Sequence, residues 1–121
     1  VILVDTAIWI DHLRAGEPAL TVLLEAGAVL AHPFVIGELA LGNLRARDFI
    51  LSALRDMPQA VVATEAEVLA LIAAHGLAGS GIGYIDAHLL AAARLSHGAR
   101  LWTRDRQLAG IAARLGVAHS A

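Results

Sequence analysis

The chain opens on four apolar residues, Val1–Val4, that stop abruptly at Asp5; short runs of the same kind recur at Val29–Ala31 and Val61–Ala63, and Arg100–Thr103 sets Leu101-Trp102 between two polar ends. A short, wholly apolar run has no polar face to offer water, so it is expected as a strand buried on both sides. Helical patterns separate these runs. Alternation of that kind predicts an α/β domain around a parallel sheet.

The helical stretches carry their own punctuation. Thr6 is placed to cap a helix through about Arg14, and Glu17-Pro18 opens another that runs to Gly27, since proline suits the first helical position. A helix from about Pro33 to Gly42 or Asn43 follows, then one over Ala46–Met57 that Pro58 stops. Thr64 with Glu67 forms a capping box for a helix to about His75. Gly76–Gly83 reads as a loop, Tyr84–Ser96 as an Ala/Leu-rich helix ended by Gly98, and Arg106–Leu115 as a last helix before a short strand at Val117–Ala118. The 121 residues fit one domain, 1–121, without repeat or linker.

Composition removes several classes of function. With 58% hydrophobic and 17% charged residues, the chain buries a sizeable core rather than staying disordered. No apolar run approaches the roughly 18 residues of a membrane span, and no basic segment precedes the first apolar stretch. A soluble, cytoplasmic protein is expected. The absence of cysteine excludes a disulfide framework, a thiolate metal site and a thiol nucleophile. Lysine is absent too, which excludes a Walker-type phosphate loop, Schiff-base chemistry and a lysine-dependent phosphoaspartate receiver. At a net charge of −2, any contact with nucleic acid has to come from a local arginine group.

Most acids fall where a solvated helix face is expected, but four interrupt or end apolar runs. Asp5 ends the first strand, Glu38 lies inside Phe34–Leu41, Asp86 stands near the start of the alanine-rich helix, and Asp105 follows Leu101–Thr103 after one arginine. Ligands of open parallel sheets bind at the carboxyl ends of the strands, where these four can converge. Clustered carboxylates repel unless a cation compensates them, and oxygen donors favour Mg²⁺ or Mn²⁺. Metal-assisted phosphodiester hydrolysis is the chemistry this pattern fits. The alternative gives each acid a purely local role, with Asp5 and Asp105 at turns, Asp86 at a helix start and Glu38 on an exposed stripe.

The segments VILVDTAIWIDHLR, VIGELALG, GYIDAHLLAAA and LWTRDRQL, in that order and separation, resemble the PIN-domain family, and within it the VapC-type toxin ribonucleases of toxin–antitoxin modules. The resemblance implies an α/β/α sandwich with a central parallel sheet, a Mg²⁺- or Mn²⁺-dependent endoribonuclease, inhibition by a VapB-type antitoxin, and a homodimer. It implies metal ligands at Asp5, Glu38, Asp86 and Asp105, with Thr103 supporting Asp105 or a metal-bound water and Thr6 as the hydroxyl after the first aspartate. Ala7 and Gln107 depart from the family pattern, where serine or asparagine and a further acid are common. A metal-dependent DNA nuclease and a PIN-fold binding module without catalysis are the alternatives.

Arg45, Arg47, Arg104 and Arg106 are the candidate RNA contacts, because guanidinium forks suit phosphates. Trp9 and Trp102 are expected in the core. A lesser reading places Trp9, with Ile8, Leu13 and Leu20, along a groove for an antitoxin helix. The six histidines have no metal-binding spacing, and Gly79–Gly83 is expected as a flexible connection to the Asp86 helix.

Overall fold

A computed structural model describes residues 1–120. Its sheet has three parallel strands in the order β2-β1-β3: β1 is Ile2–Val4, β2 Val29–Leu30 and β3 Arg100–Trp102. The register pairs Leu3 with Leu30 on one side and with Leu101 on the other. β1 is therefore central and all three of its residues are buried, as its unbroken apolar run requires.

Among the described residues, seven helices accompany the sheet: α1 Thr6–Ala15, α2 Pro18–Glu25, α3 Pro33–Ala40, α4 Arg47–Asp56, α5 Glu65–Ala74, α6 Tyr84–Leu95 and α7 Arg106–Arg114. α3 packs on both α1 and α4, α5 packs on α6, and α6 and α7 pack against β3. This is an α/β/α arrangement. Helix α6 is the most deeply set, with every residue from Ala87 to Ala93 buried. Over that stretch apolar side chains surround the axis and no face is given to water, while Tyr84, Ile85, Arg94 and Leu95 at its ends are exposed. Trp9 and Trp102 join this core at 4% and 5% exposure.

Three sequence expectations change here. Val61–Ala63 is not a strand: the parallel bridge joins Ala31 to Gln59, with the Ala31 N–H donating to Pro58 and the Ala60 N–H to the Ala31 carbonyl. The sheet edge is used up by that bridge, and Val61 and Val62 are each left 49% exposed. The end of the chain contributes likewise a single bridge, Ala118 to Leu101. Finally, Asp5 rather than Thr6 caps α1. Asp5 is extended, and its Oδ1 accepts from the Thr6 N–H at 2.8 Å.

Candidate active site

The ends of β1 and β3 lie side by side, and the Asp5 N–H donates to the Trp102 carbonyl at 2.9 Å. Asp5 leaves β1 as the cap of α1, and Asp105 leaves β3 as the cap of α7, its Oδ1 accepting from the Leu108 N–H at 2.9 Å. Asp86, in the first turn of α6, bends back so that Oδ2 accepts from the Gly83 N–H at 3.1 Å. Capping therefore serves two ends at once. It satisfies backbone donors at three helix starts, and it aims three carboxylates from one edge of the sheet.

Thr103 links two of them. Its hydroxyl donates to Asp5 Oδ2 at 2.7 Å and accepts from the Asp105 N–H at 3.1 Å. The Thr6 hydroxyl, by contrast, is buried without a partner. Ala7 is exposed and brings no polar group.

The electrostatics bind Asp86 to the same group. Burial raises its pKa above the ordinary carboxylate value, the hydrogen bond from Gly83 opposes that rise, and the charges of Asp5 and Asp105 add to it. No cationic side chain compensates this trio among the described residues, where the ion pairs are those of Arg104 with Asp11 and Glu17. Acidic oxygens with unspent lone pairs and mutual repulsion fit a hard divalent cation. Among the described residues, no three acidic or imidazole groups stand close enough to ligate one ion as they are. Mg²⁺ usually keeps several waters and takes only one or two carboxylates, so it makes the smallest demand on protein oxygens.

Among the described residues, none of the hydrogen bonds that hold the other three acids involves Glu38. Helical periodicity turns Val35 and Leu39 of α3 into the core and leaves Glu38 exposed. It stands on the wall of a groove of about 750 Å³ between α1 and the α3–α4 region, beside Ile10, Leu13, Arg14, Leu44 and Arg45. Of the apolar residues considered for a groove, only Leu13 lines it. Ile8, Trp9 and Leu20 are core residues.

The arginines divide. Arg104 donates to Asp11 and Glu17, and Arg47 to the carbonyls of Ala40 and Gly42 near the end of α3. Both are committed to protein partners. Arg45 lines the groove, and Arg106 opens α7 beside Asp105 in an exposed position.

Two features of the site had no sequence signal, and a third had only a hint. One is the Arg104 fork. Another is the Gln107 side chain, which lies so close over Gly81 that an added Cβ would meet it at 2.7 Å. The third is His32, wholly buried, whose Nδ1 accepts from the Phe34 N–H at 3.0 Å and caps the Glu38 helix. A histidine before proline at a strand end is the one hint the chain offers of that last role.

A strand-end set of acids on a three-stranded parallel sheet defines a class of site, and comparison with known proteins gives the class its family. The PIN domain family model matches residues 2–114, and the chain belongs to the PIN-domain family. Proteins from two strains of Mycobacterium tuberculosis, both named Ribonuclease VapC32, are each 48% identical to it over 118 residues, covering 98% of this chain and 95% of theirs. Within the family, the chain is of the VapC type.

Proposed function

We propose that this protein is the toxin of a type II toxin–antitoxin module, a Mg²⁺- or Mn²⁺-dependent endoribonuclease that cleaves RNA phosphodiester bonds at the Asp5–Asp86–Asp105 site. The observation that carries this reading is Asp86, half-buried and repelled by Asp5 and Asp105 at one sheet edge with no cationic side chain among the described residues to compensate it, in a chain of VapC type. A bound divalent ion supplies a lowered pKa for the attacking water and positive charge against the phosphate. The protein's part is orientation. Thr6 and Thr103 hold both oxygens of Asp5, Leu108 holds Asp105, and Gly83 holds Asp86. Glu38 serves as an outer acid reached through water. Arg106 and Arg45 are the arginines left to meet the RNA backbone.

The groove between α1 and α3–α4 is the seat for the VapB-type antitoxin. Its walls are apolar along Ile10, Leu13, Leu39 and Ile50, with Arg14 and Arg45 for acidic side chains of the bound segment. Helix α5 carries apolar residues on several sides, and Val61, Val62, Leu69 and Leu95 are exposed around it. That face suits the homodimer. No helix among the described residues is long and apolar enough to cross a membrane, and the cytoplasm, where RNA and antitoxin meet, is the proposed location.

The test is cleavage of a mixed cellular RNA pool by antitoxin-free protein in Mg²⁺, in Mn²⁺ and in EDTA, beside Asp5→Asn. Discrete fragments that need metal and vanish in the variant are expected. Cleavage that persists in EDTA, or in Asp5→Asn, removes the reading. A competing DNA substrate cut equally well replaces RNA with nucleic acid in general.

A further inference from the structure

Residues Trp102, Thr103 and Arg104 are all tied to the stretch from Asp5 to Glu17, far away in the chain. The Trp102 carbonyl accepts from the Asp5 N–H, the Thr103 hydroxyl donates to Asp5, and the Arg104 guanidinium donates through Nη1 to Asp11 and through Nη2 to Glu17. Asp11 is on α1, and Glu17 stands at the N-cap position of α2 with its side chain free of any capping bond. Thr103 is bonded to Asp5 at the site, while Arg104 is bonded to acids outside it. One arginine therefore spans two elements on the flank of the site while its neighbours, Thr103 and Asp105, carry the site's polar groups.

We propose that Arg104 is a positioning residue: its fork across Asp11 and Glu17 fixes the direction in which the chain leaves β3, and with it the placing of Asp105 relative to Asp5. This inference rests on the nuclease reading above. The planar guanidinium is suited to that role, because it presents separate N–H donors to two carboxylates at once. A lysine ammonium keeps the charge but not the fork. The same geometry takes Arg104 out of the set of RNA contacts, since its charge is already met by two acids. Isolated exposed ion pairs are weak, but a three-membered network shares the cost of ordering its long side chains. Its effect is on placement rather than on global stability, and catalytic sites are sensitive to displacements of this kind.

The experiment compares wild type with Arg104→Lys, Arg104→Gln, Asp11→Asn/Glu17→Gln, and the triple variant that combines the last two. Thermal midpoints establish that each is folded. Mn²⁺ affinity is measured by calorimetry without RNA, and kcat and KM are measured on a single-stranded RNA oligonucleotide. A positioning role predicts that every variant loses kcat by about tenfold with a weaker Mn²⁺ affinity and little change in KM, and that the triple variant is no worse than its parents. Asp11→Asn/Glu17→Gln is decisive, because it leaves Arg104 in place and only frees it. Wild-type kcat and Mn²⁺ affinity in that double variant, with KM raised in Arg104→Gln, overturn the proposal and make Arg104 an RNA contact. If wild type itself cleaves no RNA, the nuclease reading fails by itself, and the Mn²⁺ titration still decides whether the fork sets the acids. Metal-dependent cleavage that is lost in Asp5→Asn but intact in every fork variant sinks this inference alone.

Discussion

Thr103 donates its hydroxyl proton to Asp5 at 2.7 Å across 98 positions of sequence, and the same oxygen receives the Asp105 N–H. One short side chain thus sets two acids from neighbouring strand ends. Thr103→Val keeps the shape and removes both bonds. It is expected to lower kcat by about tenfold while costing only ~1 kcal/mol of stability, the usual net worth of a hydrogen bond. Thr103→Ser restores the oxygen and should restore the rate. Steady-state cleavage and thermal melts of the two variants measure this, and equal rates in Thr103→Val and wild type would rule out the role.

Asp86 yields a prediction of opposite sign for stability and activity. Its pKa is raised in the folded protein, by burial first and then by Asp5 and Asp105. The folded state therefore takes up its proton at a higher pH than the unfolded chain does. Metal-free protein loses stability as pH rises from the unfolded value through the raised folded one. At neutral pH in EDTA, Asp86→Asn should melt above wild type. Adding Mn²⁺ should raise the wild-type midpoint and leave the variant nearly unmoved, and only wild type should cleave RNA. A wild-type midpoint indifferent to Mn²⁺ contradicts the metal assignment.

Much of this was legible in the chain because it depends on local rules. Apolar runs that end at Asp5 and just before Asp105 fix both strand ends and the acids that follow them, and parallel pairing then puts those ends on one edge. The Thr64–Glu67 capping box and the Pro58 stop are equally local and stand as expected. Val61-Val62 misleads because β-branched propensity says nothing about a partner strand, and the bridge ends at Gln59, so the Val61 N–H donates to the Ser96 hydroxyl instead. Glu38, an acid inside an apolar run, is put by the 3.6-residue period on the exposed side of α3 beside buried Leu39, which both the metal-ligand reading and the exposed-stripe alternative allow. The Arg104 fork had no signal at all, since its partners lie 93 and 87 positions away. Pairing at that range belongs to the tertiary structure, not to any window of sequence.

His32 sets an acid limit on the fold. Its ring is wholly buried, Nδ1 is engaged by the Phe34 N–H, and Nε2 has no partner among the described residues. Burial, with His88 adding to it, lowers its pKa to about 4 from an ordinary 6.5. The unfolded chain therefore takes the proton first as pH falls. Stability from this group is complete above 6.5 and is lost progressively toward 4. Asn at this position keeps an acceptor for the Phe34 N–H and does not titrate. In thermal melts between about pH 7 and about 4.5, a window that brackets most of this titration, His32→Asn should lose less stability than wild type. Matching slopes would show that another group sets the acid limit.

Gly81 carries the approach to Asp86. Its φ of 88° lies in the left-handed region, and a Cβ there would meet the Gln107 amide at 2.7 Å. Two effects are separable in Gly81→Ala. The backbone strain of an L side chain in that region costs roughly 1–2 kcal/mol. The collision is with the far end of a flexible side chain, so it is relieved by moving Gln107 off the loop. Gly81→Ala should therefore melt several degrees below wild type, and adding Gln107→Ala should recover only a small part of that loss. If the contact also steadies the loop that presents the Gly83 N–H to Asp86, Gln107→Ala alone lowers kcat while barely moving the melting midpoint. Full recovery of stability in the double variant would place the whole cost in the collision and none in the backbone.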